Sequence, residues 1–327
     1  MRKILIIQTA SIGDVILATP VPEKLHVFFP EAEIDFLVKK GMEELFRDHP
    51  FLHEILIWDK KKRKNRNLFS LLKKIRKTKY DLVINLQRFG STGILTGLSG
   101  AERRIGFKKN PFSVLFTEKF EHKIGDGTHE IERNLSLIAS ITDDSVQKPA
   151  LYPTPAVHAK MMGLKKGTYY TISPASLWFT KQYPAEKWVE LLSYVDEKST
   201  VYCLGAPNDR ELCDRIIRES GHENIKNLAG GLTFLESASL MKDAKMNFTN
   251  DSAPMHLAAA VNAPVTAIFC STITDFGFGP LSDDRSVAEI STPLYCRPCG
   301  LHGFRKCPEG HFRCAFEIEV EKLVKRL

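Results

Sequence analysis

The sequence predicts an α/β protein built from two doubly wound, mostly parallel sheets, and three observations carry that expectation. Short apolar runs alternate with amphipathic stretches in a βαβα rhythm from the first residues onward. The rhythm breaks around Lys148 to Pro155, where Pro149, Pro153 and Pro155 fall within seven positions. It then begins again, and 327 residues with 43% hydrophobic content suit two domains, each with its own core.

The opening Met1-Arg2-Lys3-Ile4-Leu5-Ile6-Ile7-Gln8 has the charged start of a signal peptide. Its apolar run is too short and soon meets Asp14, so it reads as a first strand, Lys3 to Gln8, of a cytoplasmic protein. Glu33 to Val38, Glu54 to Trp58 and Leu82 to Asn85 read as further strands, with helices such as Val15 to Phe29 and Leu68 to Lys77 between them. After the proline cluster come strand Tyr169 to Ile172, helix Ala185 to Tyr194, strand Thr200 to Leu204 and helix Asp209 to Glu219. Strands Met246 to Thr249 and Val265 to Phe269 close the second series. The two sheets would face each other across a cleft. No apolar run reaches the roughly 18 residues that a membrane helix needs.

Three turns carry chemistry. Asn250-Asp251-Ser252-Ala253-Pro254-Met255-His256 joins a strand to an apolar helix, with Asp251 or Ser252 as cap and Pro254 at an early helical position. Backbone amides there point outward, and in an open α/β sheet such a turn binds ligand phosphate; an ordinary capped helix is the plain alternative. The first turn, Gln8-Thr9-Ala10-Ser11-Ile12-Gly13-Asp14, has one glycine where a dinucleotide fingerprint has three, which disfavours NAD. No Gly-Lys-Ser/Thr phosphate loop appears. Asp14, at the start of a helix, can serve as a general base or merely complement the helix dipole. In the second half Ser173-Pro174-Ala175-Ser176 leads to Lys181, which can meet phosphate as a point charge or be one more exposed lysine.

The net charge of +7 lies in the first half: residues 1–150 hold 26 Lys and Arg against 19 Asp and Glu, and the remainder holds 20 of each. Residues 60–79 alone contain eleven basic side chains and no acidic one. Such a run is a solvated face, or meets nucleic acid or an anionic membrane surface. No recognition helix, zinc finger or aromatic ribonucleoprotein motif accompanies it, which argues against nucleic acid. Cys296, Cys299, Cys307 and Cys314 can form a tetrahedral structural zinc site or stay as separate reduced thiols.

Taken together, Ser11-Ile12-Gly13-Asp14, Ser173-Pro174-Ala175-Ser176 with Lys181 and Pro184, and Asn250 to Ala260 resemble the ADP-heptose:lipopolysaccharide heptosyltransferases, glycosyltransferase family 9, from the first strand to the last helix. Asp81 to Gln87 is similar to another strand of that family, one that precedes an acceptor-side turn. The resemblance implies a GT-B fold: an acceptor-binding Rossmann-like domain over 1–155, a nucleotide-sugar domain over 156–315, and a terminal helix, 316–327, packing back on the first domain. It implies an inverting transferase that needs no catalytic metal and moves heptose from an ADP-sugar to a hydroxyl of the anionic lipopolysaccharide core. The enzyme would act at the inner face of the cytoplasmic membrane.

By this resemblance Asp14 matches the base and Lys181 the diphosphate-contacting lysine. Ser173, Ser176, Asp209, Asn250, Asp251, Ser252, Ala253 and His256 would bind the donor. Ser11, Gly13, Gln87 and the cations Lys60, Lys61, Lys62, Arg63 and Lys64 would face the acceptor. Ala253 stands where glycine is usual, Ser173-Pro174 replaces proline-glycine, and Gln182-Tyr183 replaces arginine-tryptophan, so another nucleotide-sugar stays open. A protein acceptor, binding without transfer, and a scaffold module organised by the cysteine cluster are the remaining alternatives.

Overall fold

A computed structural model describes all residues, Met1–Leu327, and divides them into two compact units. The first holds Met1–Ile124 and Thr128–Tyr152, and the second holds Gly125–Gly127 and Pro153–Leu327. The break falls between Tyr152 and Pro153, inside the proline cluster.

The first unit contains strands β1 (Lys3–Ile7), β2 (Glu33–Lys39), β3 (Leu52–Trp58), β4 (Leu82–Asn85), β5 (Arg103–Phe107) and β6 (Glu118–Phe120). They form one parallel sheet in the order β3-β2-β1-β4-β5-β6. The second contains β7 (Tyr169–Ser173), β8 (Thr200–Cys203), β9 (Ile225–Asn227), β10 (Met246–Asn250), β11 (Val265–Phe269) and β12 (Arg285–Glu289). Its order, β12-β11-β10-β7-β8-β9, repeats the same winding. In each unit the winding reverses beside the first strand, between β1 and β4 and between β7 and β10. Crevices at the carboxyl ends of strands form at that reversal.

Strands at the middle of each sheet are buried along nearly their whole length, as in parallel sheets whose two faces are both covered by helices. Ile4, Leu5, Ile6 and Ile7 of β1 are all fully buried. The helix expected from Val15 to Phe29 is two, Ile12–Ile16 and Pro20–Phe28. Pro20 has no N–H to continue the first helix, so it starts the second. The basic helix begins earlier than expected, at Lys64, and runs to Thr78 with Leu68, Leu71 and Ile75 buried. Edge strands β6 and β9 are three residues long, too short for a period-two pattern to register.

The terminal helix Glu321–Val324 belongs to the second unit. It buries Leu323 there in a core that includes Trp188, Phe248 and Ile268. No helix is long and apolar enough to cross a membrane.

Trp188 is fully buried and meets Tyr183 edge-on at 5.5 Å. Trp188→Ala should cost the second unit about 3–5 kcal/mol in chemical denaturation. Trp188→Phe should cost less, since the indole Nε1 makes no hydrogen bond that phenylalanine would forfeit.

Candidate functional site

In the second unit the reversal between β7 and β10 gathers the turns singled out by sequence. Thr249 of β10 pairs in register with Ser173 of β7, so the chain leaves both strands at one edge of the sheet. From β7 it runs through Pro174 to a short helical turn, Phe179–Lys181. From β10 it passes Asp251 and Ser252 into the helix Ala253–Ala260, with Pro254 in the first turn. Asn250, fully buried, joins the two: its Nδ2 donates to Pro174 O at 2.8 Å, and its Oδ1 accepts from Tyr183 N at 2.9 Å.

Across that joint the Lys181 ammonium meets Asp251 Oδ2 at 2.6 Å, with only 15% and 7% of the two side chains exposed. Thr272 Oγ1 donates to the same oxygen at 2.5 Å. Ser252 is the N-cap, with extended backbone and no side-chain cap bond; its hydroxyl reaches back to Asn250 O at 3.4 Å. His256 is buried in the following helix. Ser173 is buried with its hydroxyl unpartnered, and Ser176 accepts at its carbonyl from Gln182 Nε2 at 2.6 Å. Asp209 ends the helical turn Pro207–Asp209 that follows neighbouring β8, where its carboxylate accepts from Ala206 N at 2.7 Å and shapes the turn. A fixed ammonium beside a helix N-terminus is chemistry suited to a diphosphate.

The reversal between β1 and β4 collects the first unit's candidates. Asp14 sits in the helix Ile12–Ile16, and its Oδ2 accepts from Ser11 N at 3.0 Å and from the Ser11 hydroxyl. Gly13 lies in the same turn of helix. Thr9 Oγ1 donates to Gln87 Oε1 at 2.6 Å, which leaves the buried Gln87 Nε2, and the neighbouring Asn85 Nδ2, as donors without partners. Asn110 secures this loop by donating to Gln87 O and Phe89 O, each at 3.1 Å. It fits because Gly93 has no side chain, for a Cβ there would overlap the Asn110 amide.

Of the five cations expected beside the acceptor, Lys60 alone is tied to this loop, donating to Thr9 O at 2.7 Å with its ammonium 4.8 Å from the Trp58 ring centre. Lys61, Lys62, Arg63 and Lys64 are exposed on the turn and helix start that follow. Glu130 escaped the sequence reading. It is buried, accepts from Arg133 Nε at 2.8 Å, and is pushed up in pKa chiefly by burial, with a contribution from the Asp14 charge. Its only sequence sign is the capping helix start His129-Glu130-Ile131-Glu132.

The four C-terminal cysteines come together around one cavity of about 360 Å³, also lined by Tyr295, Phe304, His311 and Phe312. The donor chemistry suits zinc, but no three His, Cys, Asp or Glu side chains stand arranged to hold a metal. Cys299 Sγ turns to Cys296 O at 3.4 Å, and Cys314 is buried in the core of the second unit.

Two Rossmann-like units, each with its turns at the strand reversal, make this a GT-B fold. The chain belongs to glycosyltransferase family 9, the heptosyltransferase family, whose model matches residues 68–303. It is 28% identical over 275 residues to lipopolysaccharide heptosyltransferase 3 of Escherichia coli, covering 80% of this chain and 81% of that one. It is 24% identical over 330 residues to lipooligosaccharide heptosyltransferase 2 of Campylobacter jejuni, covering 99% and 97%. The solved E. coli ADP-heptose lps heptosyltransferase II shares the fold with a TM-score of 0.79 at 20% identity, covering 99% of this chain and 97% of that one.

Burial, and then the charges of Lys39 and Lys64, lower the Lys60 pKa to about 8. An ordinary lysine titrates near about 10.4. The folded protein thus holds this proton more weakly than the unfolded chain, and the group's contribution to stability rises with pH between the two values. NMR of ¹³C-methylated lysines should show one amine titrating near 8 that disappears in Lys60→Gln; titration of that amine near 10 would show that burial does not act on it.

Proposed function

We propose that this glycosyltransferase moves heptose from ADP-heptose to a hydroxyl of the lipopolysaccharide inner core, with inversion and without a catalytic metal. The observation that carries the reading is the Lys181–Asp251 pair, set at the strand reversal beside the N-terminus of helix Ala253–Ala260. The relatives' names supply the heptose and the lipopolysaccharide acceptor.

In this reading Asp14 accepts the proton of the acceptor hydroxyl while its oxygen forms a bond to the anomeric carbon. The bond from that carbon to the diphosphate breaks on the opposite face, and its electron pair leaves with ADP. Negative charge grows on the diphosphate, where the Lys181 ammonium and the amides around Ser252 stabilise it. Asp251, once Lys181 turns to phosphate, is free to accept from a sugar hydroxyl, and His256 lies on the same turn. Ala253 adds one methyl group where the family has glycine, so the diphosphate sits slightly farther from the backbone. Zinc has no part in these steps.

The first unit takes the acceptor. Gln87 Nε2 and Lys60 offer donors beside Asp14's loop, and the basic helix Lys64–Thr78 serves a second purpose. Its inner face is buried, while Arg66, Lys73, Arg76 and Lys77 are exposed together with Phe69, which is 68% exposed. A basic face carrying one aromatic side chain suits an anionic lipid surface, where the cationic groups meet headgroups and the ring enters the interface. The basic face supports a site of action at the cytoplasmic face of the membrane that carries the acceptor.

Asp14→Asn should lower kcat/KM for ADP release from ADP-heptose with a lipopolysaccharide-core acceptor by roughly 10²- to 10⁴-fold with little change in ADP affinity. Unchanged turnover would refute the assignment of the base, and absence of turnover in the parent enzyme would refute the reaction. Lys73→Glu combined with Lys77→Glu should abolish most salt-sensitive binding to phosphatidylglycerol vesicles and leave turnover of a water-soluble acceptor intact. Retained vesicle binding would remove the helix from the membrane contact.

A further inference from the structure

The segment Arg297–Phe304 passes from the cysteine cavity to the donor turn and is bonded to both sides of the Lys181–Asp251 pair. On the Lys181 side, Thr180 N donates to Phe304 O at 3.1 Å and Phe304 N donates to Thr180 Oγ1 at 2.8 Å, a reciprocal bridge. Ser271, just beyond β11, donates its hydroxyl to Thr180 Oγ1 at 3.0 Å, and its carbonyl accepts from Cys299 N at 2.8 Å. On the Asp251 side, Arg297 Nη2 donates to Thr272 O at 2.7 Å, and Thr272 is the residue that donates to Asp251. Thr180, Ser271 and Thr272 are all at most 1% exposed, so water does not substitute for these bonds.

Gly303 shows how closely the segment is fitted. Its φ is +76°, and a Cβ built there would lie 2.8 Å from Thr180 Oγ1, 3.1 Å from Lys181 Cγ and 3.2 Å from Ser271 Oγ. Its backbone thus runs close beside both Thr180 and the stem of Lys181. A lysine stem has several rotatable bonds, and each must be fixed for its ammonium to stand at one place.

We propose that Thr180 and the Gly303–Phe304 segment are positioning residues for Lys181: they touch no substrate, and hold the lysine where the donor diphosphate is bound. The proposal rests on the reading that Lys181 contacts that diphosphate. It gives the cysteine-rich segment a role in donor binding that does not depend on a metal.

The test is a mutant cycle read by ADP calorimetry, donor KM and kcat, with thermal melting to follow the fold. Thr180→Val keeps the shape and removes the acceptor of two buried donors; it should weaken ADP binding and raise donor KM about tenfold. Thr180→Ser keeps the hydroxyl and should stay within about threefold of the parent on the same ground. Lys181→Met should weaken ADP binding by tenfold or more, and adding Thr180→Val to it should weaken binding little further, since a positioning residue acts through the group that it positions. Gly303→Ala, which places a methyl group against Lys181, should behave as Thr180→Val does and serves where that variant is unstable.

If Lys181→Met binds ADP as the parent does, the donor reading fails and takes this proposal with it. If Lys181→Met weakens binding but Thr180→Val and Gly303→Ala do not, or their losses add in full to that of Lys181→Met, the donor reading stands and the positioning role is overturned.

Discussion

Parallel pairing is the constraint on which the rest of this molecule depends. A parallel neighbour is reached only by a crossover, so every strand of a sheet delivers its carboxyl end to the same edge. Where the winding reverses, two adjacent strands send their chains to opposite faces, and the loops after them are left side by side with room between. Both units obey this, at β1 and β4 and at β7 and β10. The result brings Asp14's loop against Gln87 across 78 positions of sequence, and Tyr183 against Asn250 across 67.

Within that frame the turn after β10 is held by polar groups with almost no access to water. The Lys181–Asp251 pair is costly to bury, and its attraction repays the desolvation only because Thr272 also serves the carboxylate. Deleting one partner of such a pair strands the other, at a typical cost of about 3–5 kcal/mol. The two charges therefore depend on each other, and in the proposed reading a diphosphate has to offer Lys181 more than Asp251 does. The bonds from Thr180, Ser271 and Arg297 limit how far the lysine strays meanwhile.

Much of this was legible beforehand. Strands Leu82–Asn85 and Val265–Phe269 lie where their apolar runs placed them, and the turn after β10 has Pro254 in its first helical turn. Lys60 was named only as one of five cations; its separation from Lys61 to Lys64 needed the Thr9 carbonyl, 51 residues away. The split at Pro20 was readable from proline's missing N–H, and the amphipathic pattern on both sides of it masked the break. Glu130 stayed hidden because a buried carboxylate and an exposed one are the same letter, and burial comes from distant packing. The cysteine spacing gave ligand types but not sulfur positions, which follow from the cavity wall and the core around Cys314.

Local chemistry thus determined the elements, the break near Pro153 and the residue types at each turn, because periodicity, proline geometry and helix capping act over a few neighbouring positions. Tertiary structure alone decided which groups share a bond: that Lys181 meets Asp251, that Asn250 fastens two loops, that the terminal helix joins the second core, and that Gly303 lies against Lys181. Those outcomes depend on sheet order and on the close packing of side chains far apart in the chain, and no short-range pattern encodes them.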